Sequence, residues 1–258
     1  MKTEKAIPKN INFRGFLGFF FIFLIWALLT YAEIVKPFFL PSPLSVLNSL
    51  IELFIESNLF GDILISLYRV VVGFVFAVIV AVPVGILVGT SKSAEAYISP
   101  LASYVRYIPT SAFVPLSIIW FGIGDIGKFF IIFSGVVPFL LILVADVVSN
   151  VKSEFIEAGH TLGASKKHIY TEIIIPYSLP GIWDAMRLMF GAAWSLIILA
   201  EIIAATSGLG HVILHSQRFL QTGNVIAAIL IIGFLGMLVD YFFKVCYKKF
   251  FSWSERGA

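Results

Sequence analysis

The chain has 258 residues, of which 59% are hydrophobic and only 13% charged, with a mean hydropathy of +0.98. That apolar content exceeds a soluble domain's, and the apolar runs reach membrane-spanning length, so the composition points to a polytopic membrane protein. A net charge of +3 does not indicate nucleic acid, because the basic residues sit in short clusters beside apolar segments, and the single Cys246 excludes an intramolecular disulfide framework or a thiolate metal cluster.

Lys2, Lys5, Lys9 and Arg14 precede an apolar run that ends in Thr30-Tyr31-Ala32, a pattern close to a signal peptide. The run is long for a secretory segment and more spans follow, so it reads as a retained first span over 15–33. Pro41-Ser42-Pro43-Leu44 then opens a segment over 43–57, with Val46, Leu47, Leu50, Leu53 and Phe54 at helical spacing and Glu52 and Glu56 on the polar side. This pattern predicts an amphipathic helix at the membrane surface. Further apolar runs of about 20 residues predict spans over 63–90, 97–121, 126–148, 180–205 and 223–245.

In the second span, Gly73, Ala77, Ala81, Gly85 and Gly89 recur every fourth residue and line one helix face with small side chains. Such a face suits close helix packing, within one subunit or between subunits. Pro83 removes a backbone hydrogen bond in the same helix and predicts a bend. The third span carries Pro109 and Pro115 around Thr110 and Ser111, with Arg106 one turn earlier. Irregular backbone at membrane depth is tolerated where it is buried in protein or lines a wet cavity, so Arg106, Thr110 and Ser111 are candidates for a solute pathway. Prolines are also common in membrane helices without any such role.

Lys and Arg asymmetry sets the orientation. With a cytoplasmic N-terminus, one side collects the N-terminal cluster, Lys92, Lys152, Lys166, Lys167, Lys244, Lys248, Lys249 and Arg256, while the other holds Lys36, Lys128 and Arg218. Both termini and the loop between the fourth and fifth spans are then cytoplasmic. In that loop, Ser153 is placed to cap a short helix from about Glu154, and Gly163 supplies the left-handed turn that ends it. Lys166, Lys167 and His168 lead into Ile169, Ile173, Ile174 and Ile175, and Pro176 and Pro180 are expected to break the chain before the fifth span. The product is a structured polar platform, suited to docking.

This loop resembles the EAA motif of binding-protein-dependent ABC importer permeases. Glu157, Ala158, Gly163, Ile173 and Pro176 occupy the motif's places, with Ala164 following the Gly; Gly159 stands for its second Ala and Ile175 for its Leu. Gly costs about 1 kcal/mol relative to Ala inside a helix, so Gly159 is expected to loosen this one. The likeness extends from Leu40-Pro41-Ser42-Pro43 through Arg106-Tyr107-Ile108-Pro109, Pro115, Trp120-Phe121-Gly122-Ile123-Gly124 and Leu162-Gly163-Ala164-Ser165 to Ser207-Gly208-Leu209-Gly210. These patterns are similar to the branch that imports nitrate, sulfonates, taurine or related nutrients.

The resemblance implies an all-α membrane protein with the fold of a type I ABC importer transmembrane domain. It would be a single permease domain over 1–258, with a core over 63–245 and a cytoplasmic coupling loop at 153–176. It further implies a bacterial-type inner-membrane location in a lipid bilayer, a second permease subunit in a homodimer, a cytoplasmic ABC ATPase dimer that holds ATP and Mg, and an extracytoplasmic solute-binding protein. The coupling residues would be Glu157, Ala158, Gly159, Gly163, Ala164, Ile173 and Pro176, with Glu157 favoured at a helix N-terminus. The chain itself has no G-x-x-x-x-G-K-[ST] phosphate loop, and no cofactor or nucleic-acid partner is expected.

Ionisable residues inside spans are costly and face the bundle interior, paired or wet. Depth along the spans pairs Arg69 with Glu201, and Arg106 or Arg187 with Asp146 or Asp184. Arg69, Arg106, Thr110, Ser111, Trp194 and Glu201 form the candidate pathway set, with helix locking as the other reading of the charges. His211 and His215 alone are too few for a metal site. The rival function is an ion-gradient-driven secondary transporter acting without an ATPase, which predicts inverted repeats that the two halves do not evidently show. A membrane enzyme would need clustered reactive side chains, which the four scattered histidines do not supply.

Overall fold

The computed structural model describes residues 11–254. Lys2, Lys5, Lys9 and Arg256 of the charge-asymmetry argument, and the side chain of Arg14, lie outside the described residues. Among the described residues every regular element is helical: α1 (Ile11–Tyr31), α2 (Pro43–Glu56), α3 (Leu59–Thr90), α4 (Lys92–Arg106), α5 (Phe113–Phe121), α6 (Asp125–Ser149), α7 (Ser153–Thr161), α8 (Lys166–His168), α9 (Ile175–Ala204), α10 (Leu209–Arg218) and α11 (Thr222–Phe250). The chain divides into two compact units, 1–58 with 213–230, and 59–212 with 231–258.

In the first unit, α1 has 21 residues, about 31 Å at 1.5 Å per residue, which matches a hydrocarbon core. The indole N–H of Trp26 donates to the Pro41 carbonyl at 3.0 Å and fixes the turn after α1. Ser42 caps α2, accepting from the Ser45 N–H at 3.3 Å, and Pro43 fills the first helical position, where its missing N–H costs nothing. The predicted amphipathic segment is therefore a helix, with Val46 and Leu53 buried and Leu47 and Phe54 exposed. Thr222 ties the start of α11 back to this unit through the Phe38 carbonyl at 2.7 Å.

The second unit holds the core. Among its described residues three helices reach spanning length and apolarity: α3, α6 and a continuous helix from Lys166 to Ile203; α11, which runs through both units, is a fourth. The stripe of small residues packs α3 against α6 inside one subunit. A Cβ on Gly85 would lie 2.8 Å from the Leu141 carbonyl oxygen, and one on Gly89 would lie 2.7 Å from that of Ala145, while Ala77 and Ala81 are fully buried. The helix continues through Pro83.

Two sequence expectations are corrected. The predicted third span over 97–121 is not one helix. It is split into α4, a 3-10 turn at Thr110–Ala112, and α5. Pro109 has no N–H to donate and disfavours helical geometry at Ile108, so the helix stops at Arg106; neither α4 nor α5 alone has spanning length. Conversely, Pro176 and Pro180 do not break the fifth span. A π-helical turn at Ile169–Ile174 absorbs the mismatch, and the Ser178 hydroxyl donates to the Ile174 carbonyl at 2.7 Å.

The close α3–α6 approach generates a stability prediction. Gly85→Ala must move backbone as well as side chain, and overpacking of this kind costs about 1–3 kcal/mol. Gly233→Ala meets nothing within 4 Å and gains helix propensity. Thermal unfolding in detergent is expected to show a lowered Tm for Gly85→Ala and an unchanged or raised one for Gly233→Ala; equal shifts would contradict this packing.

Candidate functional site

Two polar assemblies stand at opposite ends of α9. Glu201 lies 26 residues beyond Ile175, about 39 Å along the helix axis, and belongs to a buried ionic junction. The platform formed by α7, α8 and the π-helical turn lies at the other end.

The junction is built around the Glu201 carboxylate, which has no solvent exposure. Ser66 Oγ reaches its two oxygens at 2.9 and 2.8 Å, Arg69 Nη1 donates to Oε1 at 2.8 Å, and the Gly210 N–H donates to Oε2 at 3.0 Å. Arg69, only 4% exposed, uses every guanidinium nitrogen. Its Nε bonds Asp125 at 2.7 Å, its Nη1 also reaches the Ser207 carbonyl at 2.8 Å, and its Nη2 reaches Ser207 Oγ at 3.1 Å. Lys128, buried one turn along α6, stands 3.6 Å from Asp125 and donates to the Gly124 carbonyl at 3.2 Å.

The same groups seat the first turn of α10. A helix start leaves backbone N–H groups without intrahelical partners. Here the Gly208 N–H donates to Asp62 at 2.6 Å, the Leu209 N–H to Ser66 Oγ at 2.9 Å, and the Gly210 N–H to Glu201. Gly208 has φ +105°, and a Cβ there would sit 2.3 Å from Glu201 Oε1, so only glycine fits. The carboxylates of Asp62 and Glu201 at this N-terminus are favoured by the helix dipole.

The platform begins with α7. Ser153 is its first residue rather than its cap; Lys152 holds the capping position without a side-chain bond. At its far end Gly163 takes φ +78°, its N–H donates to the His160 carbonyl at 3.0 Å, and the Ala164 N–H reaches back to the Gly159 carbonyl at 3.0 Å. That pair of bonds is a Schellman termination, for which a left-handed glycine is the usual residue. Ser165 then caps the next helix, accepting from the His168 N–H at 3.3 Å.

Gly159 has a packing role in α7. It is buried, and a Cβ there would lie 2.8 Å from Ile173 Cδ1 and 3.4 Å from Ile169 Cγ1, so its bareness lets α7 rest on the π-helical turn. The Phe155 and Tyr177 rings, 5.3 Å apart, join α7 to α9. On the open side Glu157 and Ala158 are exposed, and Leu162 is 87% exposed beside a cleft of about 550 Å³ that also takes in Ser165, His168 and Glu172. Pro176 sits within the first turn of α9, partly buried.

The structure brings together only Arg69 and Glu201 of the pathway candidates. Trp194 is buried elsewhere on α9, its indole N–H donating to the Ile232 carbonyl at 3.1 Å. Arg106 lies over the Tyr107 ring at 5.1 Å, Ser111 is exposed, and Thr110 packs against Gly135 of α6. Arg187 bonds Asp240 at 2.5 Å, a partner the depth argument did not name, and Asp240 also holds Lys244 at 2.7 Å. Sequence reasoning missed Asp240, although its four-residue spacing to Lys244 was visible. It also missed Asp125, which opens α6 at the depth of Arg69, and Asp62 and Ser66 on the face of α3 that carries Arg69.

Comparison with known proteins identifies the architecture. Residues 73–252 match the family described as the binding-protein-dependent transport system inner membrane component. The chain belongs to that family. The permease is 36% identical over 234 residues to a protein of Brucella abortus (strain 2308) named as a probable ABC transporter permease, covering 90% of this chain and 92% of that one. It is 30% identical to the taurine transport system permease protein TauC of Escherichia coli (strain K12), over 89% and 85% of the two chains. With the bicarbonate transport system permease protein CmpB of Synechococcus elongatus the identity is 29%, over 94% and 86%. Among solved structures, an inward-facing MetNI methionine ABC transporter superposes with a TM-score of 0.67 at 19% identity, covering 74% of this chain and 95% of that one. The fold is that of a type I ABC importer transmembrane domain.

The termination of α7 can be tested in the permease. A Cβ on Gly163 meets nothing within 4 Å, so Gly163→Ala carries only the cost of left-handed backbone, about 1–2 kcal/mol. Gly163→Asn is expected to cost less, because Asn tolerates that conformation. Hydrogen exchange over 159–165 should rise about tenfold in the Ala variant, since 1.4 kcal/mol is a factor of ten, and clearly less in the Asn variant. Equal exchange in both would contradict the left-handed cap.

Proposed function

We propose that this permease is the translocation subunit of an ATP-driven, binding-protein-dependent importer of a small anionic nutrient. Two permease subunits would enclose the pathway, an extracytoplasmic binding protein would deliver the solute, and a cytoplasmic ATPase pair would hold ATP and Mg. The permease would catalyse no bond chemistry. Relatives named for taurine, aliphatic sulfonates and bicarbonate support a solute that carries an oxyanion group.

The observation that carries the reading is the platform. Its inner side is tied to the long Lys166–Ile203 helix through Gly159, Ile173 and the Phe155–Tyr177 contact, while its outer side presents Glu157, Ala158 and Leu162. A polar loop without a partner gains nothing from holding a large apolar side chain in the open, so Leu162 suits insertion into a groove on the ATPase. Because the platform continues into a spanning helix, closure of the ATPase pair would move that helix as one body. Both termini and the platform are cytoplasmic in this reading.

The test is copurification of the tagged permease with the ATPase encoded beside it. The wild type is expected to retain the ATPase, and Glu157→Lys, Leu162→Asp and Gly163→Asp to lose it while remaining monodisperse. A folded wild type that binds no ATPase, with uptake abolished by collapse of the ion gradient while ATP remains, would favour a gradient-driven transporter instead.

A further inference from the structure

We infer that Arg106, at the break between α4 and α5, is the group that receives the oxyanion of the solute inside the bilayer. The inference rests on the importer reading above and names the residue in it that meets the solute. Arg106 ends α4 half-buried. Among the described residues its side chain makes one hydrogen bond, from Nη2 to the Tyr107 hydroxyl at 3.4 Å, and lies over the same ring at 5.1 Å. It pairs with no described carboxylate, whereas Arg69 and Arg187 are held by Glu201 and Asp240.

Packing along α6 sets the depth. Asp125 meets Arg69 at one level, and the Ala145 carbonyl faces Gly89 at the other. The 20 residues from Asp125 to Ala145 cover about 30 Å, the thickness of a hydrocarbon core. Thr110 packs against Gly135, ten residues from each level, and so stands near mid-depth. Beyond it α5 runs along α6 towards the Asp125 level, where a Cβ on Gly127 would lie 3.5 Å from the Ser117 and Gly122 carbonyls. Helix α4, which starts just after α3 ends at Thr90, covers the other half. Arg106 therefore lies about one helical turn from the middle of the bilayer.

A cation at that depth needs a partner or water. The face around it is not one for hydrocarbon: Ser111 is exposed, and Tyr104 and Tyr107 are 72% and 76% exposed, although lipid-facing tyrosines belong at the interfaces. On α9, Leu196 reaches the same Gly135, while the adjoining Ser195 and Gly191 are exposed. Irregular backbone at mid-depth beside such small and polar groups fits a wet cavity.

Depth also selects the anion. Lipid phosphates stay in the headgroup layer, about 15 Å from the middle of the core. A second copy keeps the first one's orientation, so the axis relating the two runs along the bilayer normal and every residue keeps its level. The helices carry no Asp or Glu over 63–90, 96–124, 126–145, 185–200 or 222–239, so that copy brings no carboxylate to this level and adds another Arg106. The solute remains. A guanidinium presents its donors in a planar fork that fits an oxyanion, and the 3.4 Å bond to Tyr107 is long enough to be given up readily.

The experiment measures thiol reaction rates in opened membrane vesicles that carry the full permease with the proteins encoded beside it. Cys246→Ser removes the natural thiol, and Ser111→Cys supplies one at the break. The probes are two methanethiosulfonate reagents, one bearing a sulfonate and one a trimethylammonium group. Their rate ratio, normalised to that of a free thiol, cancels any change in thiol ionisation. With Arg106 present the sulfonate is expected to be favoured about tenfold, as in a cleft lined by one sign of charge. Arg106→Gln should abolish the preference, Arg106→Lys should keep most of it, and Lys152→Gln on the platform should leave it unchanged. Size-exclusion profiles check that each variant folds, and the ratio with Arg106 present is a test that needs no charge variant. No reaction with either reagent would show a face covered by lipid or protein; that result, equal normalised rates, or a preference that survives Arg106→Gln would overturn the inference. A permease that shows the preference but binds no ATPase would keep this site and lose the ATP-driven reading, and one that binds the ATPase without the preference would do the reverse.

Discussion

The Glu201 carboxylate is the group around which the second unit is organised. Removing an ion from water costs several kcal/mol even after relaxation, and the cost is recovered only when its lone pairs are met by well-placed donors. Ser66, Arg69 and Gly210 supply them, from α3 and from the start of α10. Arg69 in turn must satisfy its own nitrogens, which brings Asp125 of α6 and the Ser207 backbone into place. One buried charge therefore ties together α3, α6, α9 and the first turn of α10. With every nitrogen of Arg69 engaged, any solute contact at Arg69 would require the junction to open.

The junction depends on the packing beside it. Arg69 can reach Glu201 and Asp125 because α3 runs close to its neighbours, and the closeness comes from residues without bulk. The space beside Gly73, Gly85 and Gly89 is taken by Ile132, by the Leu141 carbonyl with Val144, and by the Ala145 carbonyl with Val148. A bilayer gives helices no hydrophobic reward for association, so dispersion contacts and internal polar bonds must hold them. The Lys166–Ile203 helix then carries the platform at one end and Glu201 towards the other, and the π-helical turn accommodates Pro176 without interrupting it.

Much of this was legible in the residues, and the failures have definite physical causes. Apolar run length located four of the long helices, and the four-residue recurrence of Gly and Ala marked the α3 face, because both signals depend on helix periodicity alone. Placement by depth paired Arg69 with Glu201 correctly, since opposite charges near one level of a bilayer have few alternatives. The same method did not find Asp240 for Arg187, because depth does not say which helices are neighbours, and α11 lies beside α9 there. Hydropathy merged α4 and α5 into one span; it averages over Pro109, where the backbone has to turn. Gly159 looked like a weakness because propensity scales ignore the neighbour that needs the space, here Ile173. The Schellman turn at Gly163 was readable since local sequence decides it, whereas the capping of α10 by Asp62, Ser66 and Glu201 was hidden, since its partners come from distant parts of the chain.

The most direct test of the central claim is a double-mutant cycle at Arg69 and Glu201. Unfolding would be followed in detergent for Arg69→Met, Glu201→Leu and the double variant. Each single variant leaves a charge buried without its partner and is expected to cost about 3–5 kcal/mol, while the double variant removes both charges and recovers most of that loss. The cycle should therefore return a coupling of more than about 3 kcal/mol. Additive losses, with coupling near zero, would mean that the pair merely occupies the bundle and does not organise it.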